Sequence, residues 1–187
     1  NPSLLKMAVE ARAKRGEKVD LKSYITEILK VAKGTPVSLE VTELTAQGMI
    51  DQGKRLFEMF NAVAQNVYIK IPVNPAFKDD DKTHFDGIKA VKKLSSMKIP
   101  VNCTLVFTPE QALLAAKAGA SFVSPFAGRI DDMLRKNAGL QFGKNEYYPI
   151  EGMAKEGMGK EKLFEDNGVV SGIDLVAQCV DILEHYE

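Results

Sequence analysis

Charge of one sign is not in surplus in this chain. Its 25 Lys and Arg balance 25 Asp and Glu, so the formal net charge is zero. A chain without a basic excess is not built around nucleic acid or an anionic membrane, and neither is expected as a partner. A small phosphorylated ligand stays open, because one Arg suffices to grip a phosphate. Cysteine is scarce: Cys103 and Cys179 stand far apart, without metal-ligand spacing. Two reduced thiols are therefore expected, with neither a disulfide framework nor a metal centre. No apolar run approaches the roughly 20 residues that a membrane helix needs. Asn1-Pro2-Ser3 carries no basic-then-apolar signal, and a cytoplasmic location is expected.

Within those exclusions, 187 residues at 45% hydrophobic and 27% charged are enough for one domain with a real core. Short apolar strands alternate with amphipathic helices at close to thirty-residue spacing, the signature of βα units and a parallel sheet. A helix near 22–33 places Leu21, Tyr24, Ile25, Ile28, Leu29 and Ala32 on one face and stops at Gly34. The strand Val37 to Val41 follows, then a helix near 45–64 and the strand Val67 to Ile71, closed by Pro72. A helix near 83–97 carries Phe85, Ile88, Val91 and Leu94, and the next strand runs from Val101 to Phe107. Thr108-Pro109-Glu110-Gln111 combines a hydroxyl N-cap, Pro at the first helical position and Gln at the third. The helix it opens reaches Ala118, and a short strand runs from Ser121 to Pro125. Over 131–168 the pattern weakens into a glycine-rich excursion, too long for an ordinary connector. A last helix spans about Gly172 to His185. All 187 residues read as a single α/β domain.

Polar residues interrupt these strands where a parallel barrel should be apolar on both faces. With a period of two, Ser38 and Glu40 oppose Val37, Leu39 and Val41, while Lys70 opposes Ile69 and Ile71. Asn102 and Thr104 oppose Val101, Cys103 and Leu105; Ser124 opposes Val123 and Pro125. Four strands thus bring polar groups to one face near their C-terminal ends, where α/β barrels keep active sites. An unpaired buried charge is expensive, so a shared site explains the convergence better than chance. Dehydration of a lysine amine favours its neutral, nucleophilic form, which condenses with a ketone to an imine that drains electrons from a breaking carbon–carbon bond. Glu40 with Thr104 could hold the water such a reaction needs. Asn102 and Ser124 could hydrogen-bond a polyol, and Arg129 could grip a phosphate.

The segments Asn1-Pro2-Ser3-Leu4, Val37-Ser38-Leu39-Glu40-Val41, Val67-Tyr68-Ile69-Lys70-Ile71-Pro72, Asn102-Cys103-Thr104-Leu105 and Ser124-Pro125-Phe126-Ala127-Gly128-Arg129-Ile130 resemble, in this order, the transaldolase family. The resemblance implies a parallel (β/α) TIM-type barrel that passes a dihydroxyacetone unit between sugar phosphates through a lysine Schiff base. It implies no metal or organic cofactor, and a place in the pentose phosphate pathway. Lys70 would be the Schiff-base lysine, and Glu40 and Thr104 would position the water. Asn1, Asn102 and Ser124 would bind hydroxyls of the three-carbon unit, and Arg129 the acceptor's phosphate. Glu40 and Phe126 favour transaldolase over the similar fructose-6-phosphate aldolases, which tend to carry Gln and Tyr there. The resemblance also implies an incomplete barrel, with a first strand bearing an acid–base Asp and the last two βα units outside these 187 residues.

Plainer readings accompany each of these residues. Lys70 could snorkel from a strand end, Glu40 could serve only as its buried partner, and Thr104 could be an ordinary strand residue. Arg129 could form a surface ion pair and Phe126 could be core. His84 and His185 are expected to face solvent. Lys78-Asp79-Asp80-Asp81-Lys82 is expected to be a solvated connector, lacking the rest of a calcium loop. Two alternatives to transaldolase remain: a fructose-6-phosphate-type aldolase, and a non-catalytic barrel fragment. The sequence does not set the number of subunits; a homo-oligomer is compatible with it.

Overall fold

A computed structural model describes residues 1–139, 143 and 169–186. In chain order these form α1 (Pro2–Ala13), α2 (Leu21–Ala32), β1 (Val37–Glu40), α3 (Ala46–Ala64), β2 (Val67–Pro72), α4 (Asp86–Ser96), β3 (Val101–Val106), α5 (Pro109–Lys117), β4 (Phe122–Pro125), α6 (Ala127–Ala138) and α7 (Gly172–Tyr186). The sheet order is β1-β2-β3-β4 and every pair is parallel. Strand order equal to chain order means each crossover returns on the same side. This is the winding of a (β/α) barrel, here an open arc of four strands, rather than of a doubly wound sheet.

Local chemistry sets the boundaries. Asp20 accepts a 2.8 Å hydrogen bond from the Ser23 amide to open α2, and Lys33 and Gly34 close it in the left-handed region. Thr45 and Thr108 cap α3 and α5 through their hydroxyls. Gln111 reaches back to the Phe107 amide at 2.8 Å, so the expected start signal of α5 is satisfied from both directions. One sheet face carries Ile69, Ile71, Val101 and Cys103, all fully buried beneath the helices with Leu29, Met49, Leu94 and Ala112. The other carries Ser38, Glu40, Tyr68, Lys70, Asn102, Thr104, Phe122 and Ser124.

Several expectations are corrected. Helix α4 begins at Asp86, because residues 83–85 are spent in a turn closed by the Asp86 amide on the Thr83 carbonyl. Phe85, expected in the buried stripe, is 64% exposed. Leu105 does not share the face of Val101 and Cys103. It takes φ +58° at an irregularity in the β3–β4 register, which breaks the alternation after Thr104. Two helices were not expected from the sequence. Helix α1 has no buried residue, and α6 buries Ile130, Leu134 and the charged Asp131 among otherwise charged or half-exposed positions. Helix α6 takes in the first residues of the stretch expected as an excursion; the remainder, apart from Gly139 and Gly143, lies outside the described residues.

Asp86 joins two helix starts. Its carboxylate accepts from the Ala46 amide at 2.9 Å and from Lys89 Nζ at 2.8 Å. The Lys89 bond first, then the Ala46 bond, holds its carboxyl below the usual range. Asp86→Ala is expected to lower the urea unfolding free energy by about 1–2 kcal/mol at pH 7. Since the folded value is depressed, the contribution is full above the ordinary carboxyl range and vanishes as pH falls through the depressed value, so wild type and variant should converge in acid. On the helix side of the sheet, burial pushes the Cys103 thiol up to about 12, and burial with Glu110 pushes Cys179 up to about 11. Neither thiol is expected to react with a chromogenic disulfide at pH 8 until denaturant is added, after which both should.

Candidate active site

Parallel pairing lines up Glu40 with Lys70 and Lys70 with Asn102, in adjacent strands and on the same face. One strand further, Thr104 pairs with Ser124. The apolar alternation of each strand turns these side chains away from the helices, as expected from the sequence. Lys70 Nζ stands 3.8 Å from Glu40 Oε2, and both side chains are 15% exposed. That places the amine in neither a dry interior nor bulk solvent, beside a carboxylate that offsets its charge. The Phe126 ring centroid lies 6.0 Å from Lys70 Nζ, and the ring is held edge-on by Phe107 at 5.7 Å.

Asn102 is the centre of a relay. Its Oδ1 accepts from the Ser124 hydroxyl at 2.7 Å and its Nδ2 donates to Ser38 Oγ at 3.0 Å. Ser38 lies on β1, two strands away, a span of roughly 9–10 Å in a flat sheet. A serine and an asparagine meet over that span when the sheet is curved toward the polar face. Thr104 is fully buried, and its Oγ1 has no hydrogen-bond partner among the described residues. An orphaned buried hydroxyl is costly, and here it belongs to the same face as Lys70.

The remaining expected residues are placed less centrally. Asn1 is exposed and its Oδ1 caps α1 through the Ser3 and Leu4 amides at 2.9 and 3.3 Å, leaving only its amide N–H groups for a ligand. Arg129 is exposed in the first turn of α6, just beyond the end of β4. No ion pair engages it among the described residues. A cavity of about 420 Å³ opens over the C-terminal ends of β1, β2 and β3, lined by Glu40, Thr42, Pro72, Asn74, Leu105 and Phe107. A larger one, about 550 Å³, lies between α1 and the β1 edge; its lining is mostly apolar, with Glu40 on its rim.

Ser38 was visible in the sequence only as a neighbour of Glu40 on the polar face; its bond to Asn102 depends on sheet curvature. His84, expected in solvent, is half-buried: its Nδ1 meets Asn74 Nδ2 at 3.3 Å and its Nε2 meets the Asp79 carbonyl at 3.1 Å. It ties together the loop after β2. His185 is exposed as expected. Asp81 accepts from the Phe77 and Lys78 amides at 2.8 and 3.0 Å, which makes the acidic run a self-capped connector. Among the described residues no cluster of three His, Cys, Asp or Glu side chains could hold a metal ion. No described helix is long and apolar enough to cross a membrane.

Residues 1–186 match the family described as transaldolase/fructose-6-phosphate aldolase. A protein of Nitrosopumilus maritimus named "Probable transaldolase" is 47% identical over 133 residues, 71% of this chain and 49% of that protein. One of the same name from Aquifex aeolicus is 51% identical over 112 residues, 60% of this chain and 45% of its own length. A third, from Exiguobacterium sibiricum, is 34% identical over 187 residues, 98% of this chain and 76% of that protein. The chain spans about half the length of the first two relatives. It belongs to the transaldolase/fructose-6-phosphate aldolase family.

Proposed function

We propose that the polar face of the sheet is a Schiff-base site that transfers a dihydroxyacetone unit between sugar phosphates. The observation that carries this reading is the Lys70 amine, 3.8 Å from Glu40 and in register with Asn102, on a largely enclosed face. The neutral amine adds to the C2 ketone of a ketose phosphate and water leaves, giving an iminium on Nζ. The C3–C4 bond then breaks; its electron pair passes into the iminium to form an enamine, and the aldose phosphate leaves as the proton of its C4 hydroxyl is given up. Attack of the enamine on a second aldehyde, followed by hydrolysis, completes the transfer. Glu40 and Thr104 would hold the water that carries protons; the unpartnered Thr104 hydroxyl supports that role. Asn1, Asn102 and Ser124 would bind hydroxyls of the three-carbon unit. Phe126 would wall the amine from solvent, and Arg129, at the start of α6, would bind phosphate.

Borohydride added with fructose 6-phosphate is expected to fix a stable adduct on the Lys70 peptide, located by mass mapping. Labelling at another lysine, or none, would overturn the mechanism. The family description covers two activities, transfer and release. Within this proposal product formation should depend on an aldose phosphate acceptor; release of dihydroxyacetone at the same rate without acceptor would favour the aldolase. A cytoplasmic homo-oligomer belongs to the same reading. Association of copies, not the location, is supported by the exposed line of Ile173, Val176 and Val180 along one face of α7.

A further inference from the structure

We infer that Ser38 is a positioning residue, which holds the Asn102 carboxamide in the one orientation that lets Asn102 and Ser124 together read a substrate hydroxyl. The inference rests on the Schiff-base reading above. A carboxamide between two hydroxyls could in principle face either way, since each hydroxyl both donates and accepts. The two separations differ, however. The 2.7 Å contact to Ser124 is the usual length for O–H to carbonyl oxygen, and the 3.0 Å contact to Ser38 is the usual length for N–H to oxygen. Donation therefore runs Ser124 to Asn102 to Ser38.

That direction fixes what remains for a ligand. With its proton spent on Asn102, Ser124 offers only lone pairs. With one N–H spent on Ser38, Asn102 offers its second N–H. One acceptor beside one donor is the complement of an alcohol, which donates and accepts at once. A carbonyl or phosphate oxygen only accepts and would face the Ser124 lone pairs unfavourably. Ser38 is suited to this task because it is half-buried on β1, so its place is set by the β1–β2 ladder rather than by the ligand. Without it Nδ2 loses its partner among the described residues, and the amide can turn to present oxygen where the donor is needed.

The reading separates from a merely structural role through the substrate. Asn102 pairs with Lys70 across the strands, so the hydroxyl within its reach is one next to the imine carbon. The C1 hydroxyl of a ketose takes no part in breaking C3–C4 and can be deleted. Borohydride trapping on Lys70 is to be titrated with fructose 6-phosphate and with its 1-deoxy analogue, for wild type, Ser38→Ala and Ser38→Thr. Ser38→Ala is expected to raise the half-saturating concentration of fructose 6-phosphate about tenfold, the loss of one buried hydrogen bond. It should leave that of the 1-deoxy compound within about twofold, and Ser38→Thr should restore the wild-type ratio. Equal weakening toward both sugars, or no weakening, with the Lys70 adduct still formed, would overturn the role of Ser38 alone. Failure of wild type to form the adduct would instead overturn the Schiff-base reading. Matching thermal unfolding of the three proteins would show that folding is not what changed.

Discussion

Lys70→Ala is expected to abolish the borohydride adduct and to lower sugar-phosphate turnover by about 10⁵ or more, the order seen when a covalent nucleophile is removed. The size follows from the geometry. Glu40, Asn102, Thr104 and Ser124 can bind, orient and relay protons, but none can form an imine, so the electron sink is lost entirely. Lys70→Arg should be as inactive, because guanidinium is never neutral near pH 7 and cannot attack a ketone. Stability should change little. Removing the amine leaves Glu40 without its 3.8 Å partner, yet Glu40 keeps some access to water. A variant that is folded, binds sugar phosphate and fails to turn over would separate chemistry from binding. Residual turnover above about a thousandth of wild type would rule out the covalent role.

Gly87→Ala should be among the most destabilising single-methyl additions in the chain. A Cβ on Gly87 would sit 2.0 Å from the Pro72 carbonyl oxygen and 2.4 Å from that of Val73. Both obstacles are backbone, so no rotamer change can relieve them. Either α4 lifts off the end of β2, or the strand end moves and strains the Val73 amide bond to the Thr104 carbonyl at 2.8 Å. A loss of about 3 kcal/mol in urea unfolding is expected, at the upper end of ordinary overpacking. Gly128→Ala is the control: nothing lies within 4 Å of where its methyl would stand, and its unfolding midpoint should stay or rise slightly. Pro72 is two residues from Lys70, so Gly87→Ala should also reduce adduct yield at temperatures where it is still folded. Equal stability of the two variants would show that α4 and β2 do not meet as closely as described.

The parts of this architecture that repeat were legible in the sequence. Apolar alternation located β1 through β4 and put Glu40, Lys70, Asn102 and Ser124 on a common face, because each strand announces its orientation locally. The start of α5, marked by Thr108 and Pro109, was legible for the same reason, whereas the Asp20 cap of α2 emerged only from the structure. What stayed hidden depends on contacts between distant segments. The Asn102–Ser38 bond joins positions 64 residues apart, and only the curvature of the sheet brings them together. The Leu105 irregularity could not be foreseen either: a leucine at φ +58° contradicts its own local preference and is held there by its surroundings. Helix α1 lacked a buried stripe to reveal it, and His84 looked like a surface residue because its partners are an amide and a backbone carbonyl within a loop.

The neighbourly winding of the sheet has a bearing on synthesis. A ribosome emits Glu40, Lys70, Asn102 and Ser124 in the same sequence in which they come to stand side by side, each on a strand that docks against the one just made. Among the described strands pairing never waits for a distant segment, which keeps their contact order low for a parallel sheet. The groups of the proposed site can accordingly accumulate during translation, one βα turn at a time.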